Sequence, residues 1–169
     1  MKLHLGGTEV GDGWKIVNVQ RNPGVDFVAD ISDLSQFGND SCDAVYASHV
    51  LEHVPQAKAL STLKGIHRIL KRSGRAYISV PDLDILSWAL LNPAKSAEMK
   101  FHVMRMMFGG QVDEFDYHYF GWNELFLTNF LTNAGFRDIQ RVESFGLFND
   151  TSEFRPYGFP ISLNVTAIK

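Results

Sequence analysis

The 169-residue sequence contains a single cysteine, Cys42. A lone thiol forms no internal disulfide and has no partner for a thiolate-based metal site, which suits a reducing cytoplasm. Long apolar runs are missing too. Nothing approaches the ~20 residues of a membrane span, and Met1–Gly13 lacks the apolar core of a secretory leader. Positive charge is scarce: 16 Lys and Arg stand against 19 Asp and Glu, a formal charge of −3. No general electrostatic attraction therefore draws the chain to nucleic acid or anionic membrane. Repeats, low-complexity tracts and any GxGxxG spacing are also absent. What remains is 45% hydrophobic and 21% charged, enough to bury a core without staples. The expectation is one cytoplasmic domain over residues 1–169.

The stretch Asn39–Pro55, NDSCDAVYASHVLEHVP, changes character abruptly. Turn formers Asn39, Asp40 and Ser41 open it, and the apolar run Ala44–Ala47 has the length of a buried parallel strand. Ser48, His49, Glu52 and His53 then crowd together, with Val50, Leu51 and Val54 at helix-like spacing among them. A buried strand that ends in titratable groups is the usual edge of a ligand crevice in an open α/β sheet. The same residues also read as a strand and an amphipathic turn whose histidines make core hydrogen bonds.

Other segments frame this edge. Lys2–Leu5 is a short strand ended by Gly6 and Gly7, which let a backbone turn tightly and approach a ligand, or simply turn. Trp14–Val19 is a second strand, closed by Gln20 and the turn Arg21-Asn22-Pro23-Gly24. Gly6–Gly13 is too short for a helical crossover, so these strands are either antiparallel or joined by a crossover stripped to one turn. Val25–Ala29 is a third strand, ending at Asp30. Gln56–Lys71 is a helix with Leu60, Leu63, Ile66 or His67, and Leu70 on one face and Gly74 as its stop. Arg75–Val80 follows as a strand broken by Pro81, with Asp82 and Asp84 at its end. Strand, helix and strand from Asp43 to Val80 make a right-handed parallel unit.

Asp84–Leu91 and Pro93–Phe108 read as helices, the second capped by Asn92. Gly109–Gly121 is a loop dense in polar groups, with Gln111, Asp113, Glu114, Asp116 and His118, and functional groups concentrate on such loops. Trp122–Ala134 is a helix with Leu125, Phe126, Phe130 and Leu131 as its apolar stripe, stopped by Gly135. Phe136–Glu143 and Ile161–Ile168, joined without a helix, suggest an antiparallel pair at the sheet's edge.

Taken together, KLHLGG, GWKIVNVQ, VDFVADISDL, CDAVYASHVLEHV and HRILKRSGRAYISVPDLD resemble the class I S-adenosylmethionine-dependent methyltransferases. The resemblance is closest to small bacterial predicted methyltransferases of the type 11 kind found near glycosyltransferase and surface-polysaccharide genes. It implies a Rossmann-like α/β fold, sheet order 3-2-1-4-5-7-6, with strand seven antiparallel. The first crossover helix is shortened or absent, and residues 84–121 form an insert after strand five.

Carried over by position, Gly6 and Gly7 match the glycine loop beside the methionine part of the cofactor. Gln20 stands where the family usually has an acid for the ribose hydroxyls. Asp30 and Ile31 match the adenine side, and Ser48 and His49 the edge facing the sulfonium. The implied activity is transfer of a methyl from S-adenosylmethionine to an oxygen or nitrogen of a small, sugar-linked acceptor. His118, His49 and Asp82 are then the candidate bases for the acceptor proton. No metal is expected: His49 and His53 stand four apart, but the resemblance gives His53 a structural place on the following helix. The glycine loop is curtailed and the ribose acid is a glutamine, so a degenerate binding or scaffold protein on the same fold is the alternative.

Overall fold

Seven strands form one sheet in the computed structural model, which describes residues 1–169. They are β1 (Lys2–Leu5), β2 (Trp14–Asn18), β3 (Phe27–Val28), β4 (Cys42–Ser48), β5 (Leu70–Pro81), β6 (Arg137–Val142) and β7 (Ser162–Ile168). The order is β3-β2-β1-β4-β5-β7-β6. β1 to β5 run parallel, and β7 is antiparallel to both β5 and β6. The helices are α1 (Gln56–Ile69), α2 (Leu83–Leu91), α3 (Ala97–Phe108) and α4 (Glu124–Ala134). Order and strand directions are those the resemblance implied.

β1 and β2 are parallel neighbours, with Lys2 opposite Trp14 and Leu5 opposite Val17. The connection is the stripped crossover, without a helix. Eight extended residues reach about 26 Å, ample for returning along a four-residue strand. The cost is coverage, because a parallel sheet needs both faces buried.

The pleat sorts the two faces cleanly. Leu3, Leu5, Val45, Ala47, Ile78, Val80, Leu163 and Val165 share one core with Leu63 and Ile66 of α1 and Leu127 and Leu131 of α4. Their alternate neighbours are His4, Tyr46, Ser79, Ser162 and Asn164, all buried on the opposite face. No helix covers that face around β1 and β4. The β6–β7 loop does so instead. The Phe148 ring lies 4.3 Å from the His4 ring and 4.7 Å from the Tyr46 ring, centroid to centroid. The Tyr46 hydroxyl donates to Asp150 Oδ2 at 2.9 Å, fastening the loop. Gly11 must lack a side chain here, since a Cβ would sit 2.6 Å from the Phe148 ring.

Three local expectations are corrected. α1 ends at Ile69 and β5 begins at Leu70; the left-handed residue is Ser73 (φ 62°), not Gly74. The Lys71 ammonium is held by Asp43 at 2.7 Å, which favours strand over a further helical turn. α3 is capped by Ser96, whose Oγ accepts from the Met99 N–H, while Asn92 closes the turn before it. In α4 the buried stripe is Leu127, Leu131 and Ala134, and Leu125 and Phe126 are 63% and 40% exposed. Periodicity allowed either face; docking on α1 chose the one with the small Ala134 at its end.

The segment between β5 and α4 is pinned at its neck. Leu83 N–H donates to the Trp122 carbonyl at 2.8 Å, and Trp122 itself is buried. α2 and α3 hold a small core of their own, Leu86, Ala89, Met99 and Val103, with Ile161 from the chain's last loop.

Candidate functional site

The carboxyl ends of β1 to β4 open into a crevice of about 620 Å³, a size typical of small-molecule sites. It lies at the topological switch point, where the chain order runs outward in both directions from β1 and β4. Gly6 ends β1 with φ +70°, and a Cβ there would lie 2.6 Å from Val50 Cγ2. Only glycine lets the two edges close this tightly. The Asn18 side-chain amide donates to the Gly6 and Gly7 carbonyls at 3.3 and 3.0 Å, and its Oδ1 accepts from the Gln20 N–H. Asn18 thus locks the curtailed glycine loop to the end of β2. Gln20 stands at the rim with its side chain uncommitted. Asp30 is oriented by the Ser32 N–H, which donates to Oδ1 at 2.8 Å, and Ile31 lies beside it.

Gly6, Gln20, Asp30, Ile31 and His49 therefore meet at one crevice, and four other candidates, Gly7, Ser48, Asp82 and His118, stand off it. Gly7 is buried and turned away, with the space of its missing side chain filled by the His4 ring 2.5 Å from an ideal Cβ. Ser48 points to the opposite sheet face, where its hydroxyl is buried near Tyr46 and Asp150. Asp82 is buried and fully committed. Its Oδ1 accepts from the Asp84 N–H at 3.1 Å as the cap of α2, and its Oδ2 pairs with Arg141 at 2.9 Å.

The loop after α3 forms the outer wall. Val112–Asp116 and Tyr119 line the crevice, and the loop is clamped by the Tyr119 N–H donating to the Glu52 carbonyl at 2.8 Å. Four carboxylates, Asp30, Asp113, Glu114 and Asp116, face one ammonium, Lys58. Such a lining attracts a cationic ligand. Asn18, Lys58 and Tyr119 were not singled out from the sequence, and Val50 was named only for its spacing. Asn18 alone carried a signal, as a polar residue where the second strand should be buried.

His118 borders a smaller cavity of about 140 Å³ beside the crevice, with His49 shared between the two. His49 has a left-handed backbone, φ 50°, which is strained for a side chain of this size. Its Nε2 lies 2.8 Å from Ser162 Oγ, and that hydroxyl donates to the Thr151 carbonyl at 2.8 Å. Ser162 can then only accept, so His49 Nε2 donates. Its Nδ1 faces Glu52 Oε1 at 3.4 Å. Burial alone pushes the Glu52 carboxyl up; His49, and then the charges of His53 and His118, outweigh it and hold Glu52 below its usual range. Burial lowers the His118 imidazole, and the Glu52 charge only partly offsets that.

An open sheet of this order, with its crevice at the strand ends, defines the fold of S-adenosylmethionine-dependent methyltransferases. A family model described as "Methyltransferase domain" matches residues 14–78, less than half the chain and starting after the glycine loop. A SAM-dependent methyltransferase from Archaeoglobus fulgidus is similar in structure, with TM-score 0.62 at 16% identity, covering 99% of this chain and 85% of that one. A second, from Mesorhizobium loti, gives 0.62 at 18%, covering 99% and 90%. The Burkholderia thailandensis 1,6-didemethyltoxoflavin-N1-methyltransferase, solved with 1,6-didemethyltoxoflavin and S-adenosylhomocysteine, gives 0.59 at 19%, covering 99% and 70%. No curated protein sequence matches the chain.

The residues present fit that cofactor in part. Gln20 and Asp30 offer hydrogen-bonding oxygens to the crevice beyond the ends of β2 and β3. The acidic lining suits a sulfonium cation. The helix N-terminus that would face the amino-acid end is missing with the first crossover helix.

Proposed function

We propose that the protein transfers a methyl group from S-adenosylmethionine to an oxygen or nitrogen of a small acceptor. The single observation that carries this reading is the acidic crevice of about 620 Å³ at the β1/β4 switch point. S-adenosylmethionine supplies an electrophilic methyl when bound. Gln20 and Asp30 hold its adenosine, and Asp113, Glu114 and Asp116 complement its positive charge. The loop 112–119 limits water at the outer wall, as a transfer between positioned atoms requires.

The acceptor enters from the smaller cavity, where the imidazoles of His49 and His118 are the groups placed to hold its polar atoms or take its proton. With Asp82 committed to its cap and ion pair, His118 is the base we favour. A sugar-linked acceptor is part of the proposal, on the strength of the resemblance and the polar rim of the crevice. Calorimetry on the purified protein tests the reading with S-adenosylmethionine and S-adenosylhomocysteine. Saturable 1:1 binding of either is expected. A null with folded protein would move the chain to the scaffold reading, which the curtailed glycine loop favours.

A further inference from the structure

Glu52 is 1% exposed, and neither of its carboxylate oxygens has a hydrogen-bond partner. A buried carboxylate with no donor is costly, and folded proteins avoid it unless a cation or proton compensates. Three imidazoles face it: His49, whose Nδ1 stands 3.4 Å from Oε1, and the rings of His53 and His118. One ligand atom each from Glu52, His53 and His118 lie within 4.8 Å of one another, and the two rings meet edge to face with centroids 4.8 Å apart.

The backbone has arranged this meeting. Glu52 and His53 sit on the single 3₁₀ turn after β4, and His118 is delivered by the loop whose Tyr119 and Phe120 N–H groups both donate to the Glu52 carbonyl. His53 Nδ1 lies 3.1 Å from the Tyr117 carbonyl, which can only accept. That nitrogen therefore carries the proton, and Nε2 keeps a free lone pair. A carbonyl fixing one ring nitrogen is how a histidine is readied to bind metal through the other.

We infer that Glu52, His53 and His118 form a binding site for one divalent transition-metal cation between the crevice and the smaller cavity. Two imidazoles and a carboxylate suit Zn²⁺, Mn²⁺ or Co²⁺ and not Mg²⁺ or Ca²⁺, which prefer all-oxygen shells. Three protein ligands leave positions open toward the cavity that His49 and His118 border. Metal bonds of about 2.1 Å place neighbouring ligands roughly 3.4 Å apart, so loading draws the triangle inward through small rotations of the imidazoles. The site does not require methyl transfer. It does exclude His118 from serving as a free base while metal is bound.

The test uses tag-free protein, stripped with chelator and dialysed against Zn²⁺ or Co²⁺. One equivalent should be retained, with Co²⁺ giving visible d–d bands and Mg²⁺ failing to compete at a hundredfold excess. His118→Ala, a change in a partly exposed loop, should weaken binding at least tenfold while leaving the far-ultraviolet dichroism unchanged. Glu52→Gln should do the same, and its folding is checked by the same dichroism. No bound metal in folded wild type, or equal binding in wild type and His118→Ala, overturns the site. Retention in both through the other histidines, His4, His67 and His102, falls under the second outcome.

Discussion

At the scale of single residues, Gln20 separates strong cofactor binding from weak. Its side chain stands at the crevice rim with no protein partner, while the neighbouring Asn18 is wholly used in locking Gly6 and Gly7. A neutral amide accepts a hydroxyl less strongly than a carboxylate: charge-assisted hydrogen bonds contribute roughly 1.5–3 kcal/mol against about 1 for neutral ones. Gln20→Glu should therefore tighten S-adenosylmethionine binding several-fold, read by titration calorimetry. Weaker binding would mean that the ribose is held elsewhere. The two glycines divide their work in a way that adjacency in sequence hides. A side chain at Gly6 would strike Val50 across the switch point, while one at Gly7 would strike the His4 ring under the sheet. Gly6 shapes the crevice, and Gly7 accommodates the core. The resemblance placed both beside a ligand, because a strand end does not reveal which way each residue turns. The same limit applies to Ser48, which the pleat sends to the opposite face from His49.

At the scale of elements, a loop does the work of a helix. β1 and β2 are joined without one, and Phe148 from the β6–β7 loop covers His4, Tyr46 and Trp14 in its place. Its anchor is the Tyr46–Asp150 hydrogen bond; burial pushes the Asp150 carboxyl up, but hydrogen bonds from Ser152 and Tyr46 outweigh this and hold it low. Phe148→Ala should cost about 3–4 kcal/mol, in the range for emptying a buried aromatic site, measured by urea unfolding with a two-state fit. A loss below about 1 kcal/mol would show that the loop rests on the sheet without supporting it. The α1 crossover was legible because a buried parallel strand and a long amphipathic helix have distinct periods, while the strand order came from the family resemblance. The covering role of residues 144–160 was not. A loop rich in Phe, Gly and Pro has no period, and Phe148 and Asp150 reach His4, Trp14 and Tyr46, all more than a hundred positions away. The face of α4 was misread for a related reason: Leu125 and Phe126 are as apolar as Leu127 and Leu131, and only the position of α1 distinguishes them.

At the scale of the whole molecule, one sheet face is apolar and helix-covered while the other buries polar groups, and this asymmetry governs the response to acid. His4 lies under Phe148 on the polar face, and burial lowers its imidazole below the usual value of 6.5; Asp150 and the Glu9 backbone offset this only partly. His67, packed edge-on against Phe136 beside Lys169, is lowered in the same direction, first by burial and then by the Lys169 charge. In both cases the unfolded chain takes up a proton near 6.5 that the folded chain resists. Stability is then constant above that range and falls as pH drops through it toward the lower folded values. The carboxylates act in a separate, lower window. Asp43, held by Lys71 and the terminal amine, titrates at about 2 and loses its contribution only between the normal 3.8 and that value. Urea midpoints should therefore decline between pH 7.5 and 5.5, well before the carboxylates protonate. His4→Phe keeps an aromatic ring against Tyr46 and Phe148 and removes the titrating group, so its midpoint should decline less over the same interval. The metal site argued above does not confound the comparison, since both proteins are measured in chelator. An identical pH slope in wild type and His4→Phe would assign the acid sensitivity to His67 and His118 instead.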